Sequence, residues 1–336
     1  MNKIAKTALM TGTALCVAGV VLSTAGYFAG GKDFTYASDH VYVSGGNSSS
    51  RKNLTVMKKE QIDDFSKLNV NFENFDLDIR TSDDDHYYME YKLEKNGRKN
   101  PLTWKDKDGE LTLEEPAGGS GSYYITYDLG IFSTHADLTE KKDALNTVVL
   151  YIPEKAQLSE AELQLSDGDL AADQLLCKEM TLELLNGDLM LDKGEFEKFD
   201  AKLSDGDLNV KELQCTDNMQ LKSGNGDVTI KKAELADGQI ALSDGDIQID
   251  NSSFNGDMKI NSSCGDVSVE MKNGSAEKTN IYLKATDGDV DTEGLSRGKT
   301  DNEEDTSVYE NKAGASAPTL NVECSDGDIT LTESEK

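Results

Sequence analysis

The chain has 336 residues, with 63 Asp+Glu against 34 Lys+Arg, a formal net charge of −29 and only 7% aromatic residues. Such a surface repels nucleic acid and anionic lipid and attracts metal cations or basic partners, although solubility alone is the plainer reading of the charge. The 29 Gly against 4 Pro favour a β protein with many tight turns over a helical bundle, in one large domain or two ordinary ones.

Residues 1–6 carry Lys3 and Lys6 and precede "TALMTGTALCVAGVVLSTAGYFAGG" (7–31), which holds no charge. Roughly 20 apolar residues cross a bilayer, so 7–31 is expected to be a single N-terminal transmembrane helix. The two lysines would keep 1–6 in the cytoplasm and leave the C-terminal part extracellular. The competing reading is a cleaved signal peptide, with Ser23 and Ala25 as the small residues before the cut. The uncharged run exceeds the usual h-region, which favours a retained anchor in the cell membrane. Cys16 lacks the Leu three residues earlier that a lipidated cysteine carries, and reads as an apolar residue of the span. The first 31 residues contain no acid, so the remainder holds 34 − 2 = 32 basic residues against 63 acidic ones.

Residues 32–60 read as a polar stalk. Residues 61–158 read as a β-rich N-terminal cap region, with strand-like "LNVNFENFDLDI" (68–79), "YYMEYKL" (87–93), "ELTL" (110–113), "SYYITY" (122–127) and "TVVLYIP" (147–153). "GRKNP" (97–101), "DKDGE" (106–110) and "PAGGSG" (116–121) punctuate them.

From 159 to 336 the sequence repeats. "LSDGDL" at 165–170 returns as "LSDGDL" at 203–208, "LSDGDI" at 242–247, "ATDGDV" at 285–290 and "CSDGDI" at 324–329. The glycines of the series are Gly168, Gly187, Gly206, Gly226, Gly245, Gly265, Gly288 and Gly327, so the spacings are 19, 19, 20, 19, 20, 23 and 39. An extra Gly256-Asp257 pair is out of phase. Counted from each glycine, positions −7, −5, −3, +2 and +4 are mostly apolar in every unit, and so is +9 in the first five (Cys177, Phe196, Cys215, Leu235, Phe254). These are period-two patterns with a phase change across Gly-Asp, so each unit carries two short strands flanking a corner.

Two architectures share this pattern. Asp-Gly and Asn-Gly between alternating strands are strong hairpin signals, and successive hairpins would give an antiparallel meander. The constant period, the apolar columns far from the turn and the Cys264 that stands where a type I′ turn wants Asn or Asp favour the other: an all-β parallel β-solenoid with about 19–20 residues per coil. The polar segment 293–318 reads as an exposed loop before the last coil. Cys177 and Cys215 share one column two coils apart, about 9–10 Å at ~4.8 Å per rung, too far for a disulfide. They and Cys324 read as small core residues, with Cys264 at a corner and exposed.

Glycine at the corner supplies a positive φ or a close approach of backbones. The aspartates that follow would line up as like charges. Two roles stand open for them. Each carboxylate accepts hydrogen bonds from turn N–H groups or from the nearby Ser or Thr; or Asp169, Asp188, Asp207, Asp227, Asp246 and Asp266 collect Ca2+, a hard cation suited to carboxylate oxygens. The nonapeptide of calcium-binding β-rolls and the EF-hand spacing are both absent, and no other cofactor is implied. His40, His86 and His135 are isolated, and no nucleophile–base pair, zinc motif or phosphate loop is readable, so no catalytic residue is assigned.

"FSKLNVNFENFDLDIRTSDDD" (65–85), "GYFAGG" (26–31) and above all "NTVVLYIPEKAQLSEAELQLSDGDL" (146–170) resemble the bacterial β-strand-repeat envelope proteins of the domain-of-unknown-function 4097 family, adhesin-like proteins. The resemblance covers roughly 60–336. It implies a membrane-tethered solenoid on the outer face of a Gram-positive-type cell, and it supplies no catalytic or binding residues. Three functions follow as expectations: a non-enzymatic adhesin-like or envelope-stress surface module with an envelope or protein partner; a binder of Ca2+ or cationic peptides; and, third, an enzyme acting on polysaccharide.

Overall fold

A computed structural model describes residues 54–95, 97–117, 145–292, 295, 298–303 and 305–335, together with the backbone of 34–37, 40–43 and 125–126. The expected membrane anchor at 7–31 lies outside the described residues, and among those described no helix is long and apolar enough to cross a membrane. Two compact units divide the chain. The smaller holds an antiparallel three-stranded sheet of Phe34–Ala37, His40–Val43 and Ile125–Thr126, and the first two of these strands fall within 32–60. The larger, 55–118 with 143–336, is the solenoid.

Its strands follow from the apolar columns. The residue two after each corner pairs in parallel with its counterpart one rung away. The column runs Leu77, Leu170, Leu189, Leu208, Val228, Ile247, Val267, Ile329, Val290, which makes nine rungs. Instead of two short strands per unit, single strands run from one corner to the next: Leu170–Asn186, Leu189–Asp205 and Leu208–Asn225, of 17, 17 and 18 residues. In these three rungs Gly-Asp is the break between strands, while higher up Lys232 and residues 255–257 interrupt them as well. The ladder shifts register between Phe196 and Lys198, Cys215 and Asn218, and Ile249 and Ser252. A further buried column at +7 (Leu175, Gly194, Leu213, Ala233) escapes the sequence reading, because small residues interrupt its apolar character.

The solenoid begins at Lys67, inside the segment read as cap. Leu68, Val70 and Phe72 pair in parallel with Ala161, Leu163 and Leu165, and Leu77 and Ile79 with Leu170 and Ala172. Below this rung lies an incomplete one made of Glu110–Glu114 and Thr147–Pro153. Antiparallel strands then cover the base: Tyr87–Glu94 against Thr147–Pro153, and Thr103–Lys107 against Glu110–Glu114.

The far end mirrors this. Thr319–Asp326 and Ile329–Glu333, last in the sequence, insert between the rung of Gly265 and the rung of Gly288. The spacing of 39 therefore records a change of order and not a missing coil. Within 293–318, expected as an exposed loop, Lys299–Glu303 and Thr306–Asn311 form an antiparallel hairpin on the outermost parallel strand, Asn280–Thr286. Backbone pairing explains it: a terminal rung is an open edge, and a charged hairpin closes it without inviting another chain.

Candidate functional site

The corner is built from two constraints. An added Cβ on Gly168, Gly187, Gly206, Gly226, Gly245, Gly265, Gly288 or Gly327 would sit 2.1–2.5 Å from a carbonyl oxygen of the adjacent rung. Close approach thus requires glycine at all eight, whereas a positive φ adds to the requirement at Gly206, Gly226, Gly245, Gly265 and Gly327. Phe75 holds the same place in the first rung and is buried. It is accommodated because the rung below breaks off after Glu114 and resumes at Thr147. Its ring packs edge-on against Phe72 at 5.8 Å.

The aspartates complete the corner. Asp169 donates its backbone N–H to Asp76 Oδ1 at 3.0 Å. The same bond then recurs up the stack, Asp188 to Asp169, Asp207 to Asp188, Asp227 to Asp207, Asp246 to Asp227 and Asp266 to Asp246, at 2.8–2.9 Å. It passes through the change of order: Asp328 donates to Asp266 and Asp289 to Asp328. Each carboxylate supplies the acceptor that the turning backbone does not present. The partner is the next rung's aspartate N–H, not the neighbouring Ser or Thr hydroxyl. A hydrogen bond to a charged group contributes about 1.5–3 kcal/mol, against about 0.9 kcal/mol of repulsion between unit charges ~4.8 Å apart in water. The bond wins.

The column before glycine handles charge differently. In spatial order it reads Asn74, Asp167, Asn186, Asp205, Asn225, Asp244, Cys264, Asp326, Asp287. A neutral residue separates the acids as far as Asp326. Asn186 and Asn225 donate from Nδ2 to Asp167 and Asp205 at 2.7 and 2.6 Å. The out-of-phase pair repeats the device at a second corner, where Asp257 donates its N–H to Asp237 Oδ1 and Thr319 donates to Asp257 Oδ1.

The six aspartates considered for Ca2+ therefore form a single file, each with Oδ1 engaged. Among the described residues no three His, Cys, Asp or Glu side chains converge as a metal site. His86 lies exposed in the turn before Tyr87, His40 is known only by its backbone in His40–Val43, and His135 lies outside the described residues. Cys177, Cys215 and Cys324 are buried, Cys264 is exposed, and all four are free thiols. Burial pushes the Cys177 thiol up to about 12, and raises Cys215 and Cys324 as well.

The base carries polar clusters that sequence reading missed. Lys59 Nζ sits 3.8 Å from the Tyr151 ring centre and 4.9 Å from that of Tyr88. Tyr151 and Tyr88 donate their hydroxyls to Glu90 and Asp84, each at 2.7 Å. That bond from Tyr88 holds the exposed Asp84 carboxyl below its ordinary range. Where the rung below breaks off, the Asp76 N–H turns to the Asn146 carbonyl at 3.0 Å, and the buried Glu115 carboxylate serves the residues just before the corner. It accepts the N–H groups of Glu73 and Asn74 at 2.8 and 2.6 Å and pairs with Arg98 at 2.8 Å. The signal was present in "ENFDL" (73–77), which keeps the aspartate and the apolar columns and lacks only glycine.

Several solved structures are similar to this chain. An adhesin candidate from Parabacteroides merdae shares 15% identity over 84% of this chain and 97% of its own, with a TM-score of 0.49. A candidate lipid-binding protein from Parabacteroides distasonis shares 13% over 85% and 98%, at 0.43. An adhesin candidate from Bacteroides fragilis shares 12% over 84% and 98%, at 0.37. No curated protein matches. Residues 65–332 match the family described as Toastrack DUF4097, and the chain belongs to that family.

Proposed function

We propose that this chain is a non-enzymatic cell-surface interaction module, held by residues 7–31 in the cell membrane with its solenoid outside and binding an envelope or protein partner. The observation that carries the reading is the employment of its polar groups. The corner carboxylates are engaged in rung-to-rung bonds and three thiols are buried, so these groups serve the stack itself, which supports reading the repeat as a scaffold. A ladder of parallel strands presents the same surface positions rung after rung, which suits contact along a length. The test is binding of the purified full chain to whole cells and isolated envelopes, beside an acidic control protein of equal charge, with release of reducing ends from wall glycan measured in parallel. Saturable binding beyond the control supports the proposal; glycan turnover would replace it with an enzyme.

A second reading, capture of Ca2+ or cationic peptides, is favoured by the unbroken carboxylate file and the net charge of −29. A rise of many degrees in melting temperature with millimolar Ca2+, relative to EDTA at equal ionic strength, would support it. An unchanged melt would remove the metal from it.

A further inference from the structure

We infer that the rung formed by residues 319–333 is exchangeable between copies of this chain, and that Asn280 is the clasp that keeps it at home. The rung is a guest in its position. It pairs on one side with Met258–Cys264 and Val267–Met271, and on the other with Asn280–Thr286 and Val290–Asp291. Neither neighbour precedes it directly in the chain. Between the hairpin strand ending at Asn311 and Thr319 runs the connector "KAGASAP" (312–318), which contains no strand.

What holds the connector is concentrated on one side chain. Asn280 Oδ1 accepts the N–H groups of Ala313 and Gly314 at 3.0 and 3.2 Å, and Asn280 Nδ2 donates to the carbonyls of Gly314 and Ala317 at 2.9 and 3.0 Å. The slot itself is selective. Leu320, Val322, Cys324, Ile329 and Leu331 fill it and are buried. Asp328 donates to Asp266 and accepts from Asp289, so the corner file runs through the guest.

A second copy carries the same segment with the same register. Exchange would therefore preserve every rung contact and alter only the connector, the condition under which domain swapping costs least. The balance between the closed chain and the exchanged pair is set by the connector's geometry and by the effective concentration of the tethered rung against that of the second copy. Asn280 biases it toward closure. The partner this surface fits is thus another copy of the chain, joined end to end through its last rung.

The test uses full chains in which Cys264→Ser removes the nearby thiol. Ser262 and Cys324 are register partners across the slot, close enough for a disulfide. One population carries Ser262→Cys with Cys324→Ser, the other keeps native Ser262 and Cys324, so a bond between positions 262 and 324 can form only between copies. A chain carrying Ser262→Cys with native Cys324 serves as the control, and must form the link internally. After equilibration at high protein concentration and mild thiol oxidation, the mixed populations should give a cross-copy link. Adding Asn280→Ala to both should raise its yield about tenfold, the effect of removing roughly one hydrogen bond's worth of closure. No cross-copy link with Asn280→Ala present, while the control links internally, would overturn the inference. A link whose yield ignores Asn280 would leave exchange standing and remove the clasp.

Discussion

Between Gly168 and Gly265 one rung can stand for another, whereas each of the two ends is built once. In the middle, every rung rests on a complete corner, and the same glycine and the same aspartate recur because the same carbonyl and the same N–H must be met. At the ends the rule changes with the neighbour. Phe75 replaces glycine where no corner lies beneath, and there the Asn146 carbonyl, not a carboxylate, accepts the Asp76 N–H. At both ends the terminal rung in sequence lies one layer inside, and antiparallel strands cover the outer layer. The difference teaches that the repeat answers to the adjacent rung and not to the chain's own turn propensity.

The sharpest way to break that comparison is a methyl group. Gly206→Ala would place a Cβ 2.1 Å from the Gly187 carbonyl oxygen at a φ of +136°, and is expected to cost about 3 kcal/mol or more, read by denaturant unfolding. Full stability in that variant would deny the close approach. At the base, Arg98→Met leaves the buried Glu115 carboxylate uncompensated and should cost about 3–5 kcal/mol, with part recovered when Glu115→Gln is added.

Within the file, Asp207→Ala removes the acceptor for the Asp227 N–H and should cost about 1–3 kcal/mol, while Asp207→Asn keeps an oxygen there and should cost less. The remaining effects concern charge. Asn186→Asp would place three acids in consecutive rungs and also remove the Asn186 Nδ2 hydrogen bond to Asp167. It should cost about 1–3 kcal/mol at low salt, and added salt should restore only the repulsive part. Asp106 is the mildest case. Burial and the neighbouring Asp63 and Asp64 raise its carboxyl above the ordinary range, against the lowering effect of the Asp63 N–H bond. The folded state then holds the proton more tightly than the unfolded one, so this group adds stability as pH falls through its raised value. Asp106→Asn should therefore stabilise the protein slightly at neutral pH, and the gain should vanish in acid.

Much of the middle was legible beforehand because its columns are dense. Leu163, Leu182, Ala201, Leu221, Ile240 and Ile260 fall in one buried line in the structure, as the 19–20-residue period requires. The alternation of Asp167, Asn186, Asp205 and Asn225 also stands in the sequence but went unread, because its meaning needs the neighbour across the rung. The ends resisted for a physical reason. Spatial order there departs from chain order, and nothing local in "CSDGDI" (324–329) says that it will lie below "ATDGDV" (285–290). The rung at 67–82 hid behind Phe75, since a search keyed on glycine passes over the one corner that does not need it.

The central claim is that carboxylates stand in for backbone carbonyls at every Gly-Asp corner, whereas at the Phe75 corner the Asp76 N–H still meets the Asn146 carbonyl. Residue-resolved amide hydrogen exchange on the native chain tests it most directly. The account predicts that the N–H groups of Asp188, Asp207, Asp227, Asp246 and Asp266 exchange as slowly as those of the neighbouring strand residues Leu189 and Leu208. Fast exchange at these aspartates, at rates typical of an open turn beside protected strands, would contradict it.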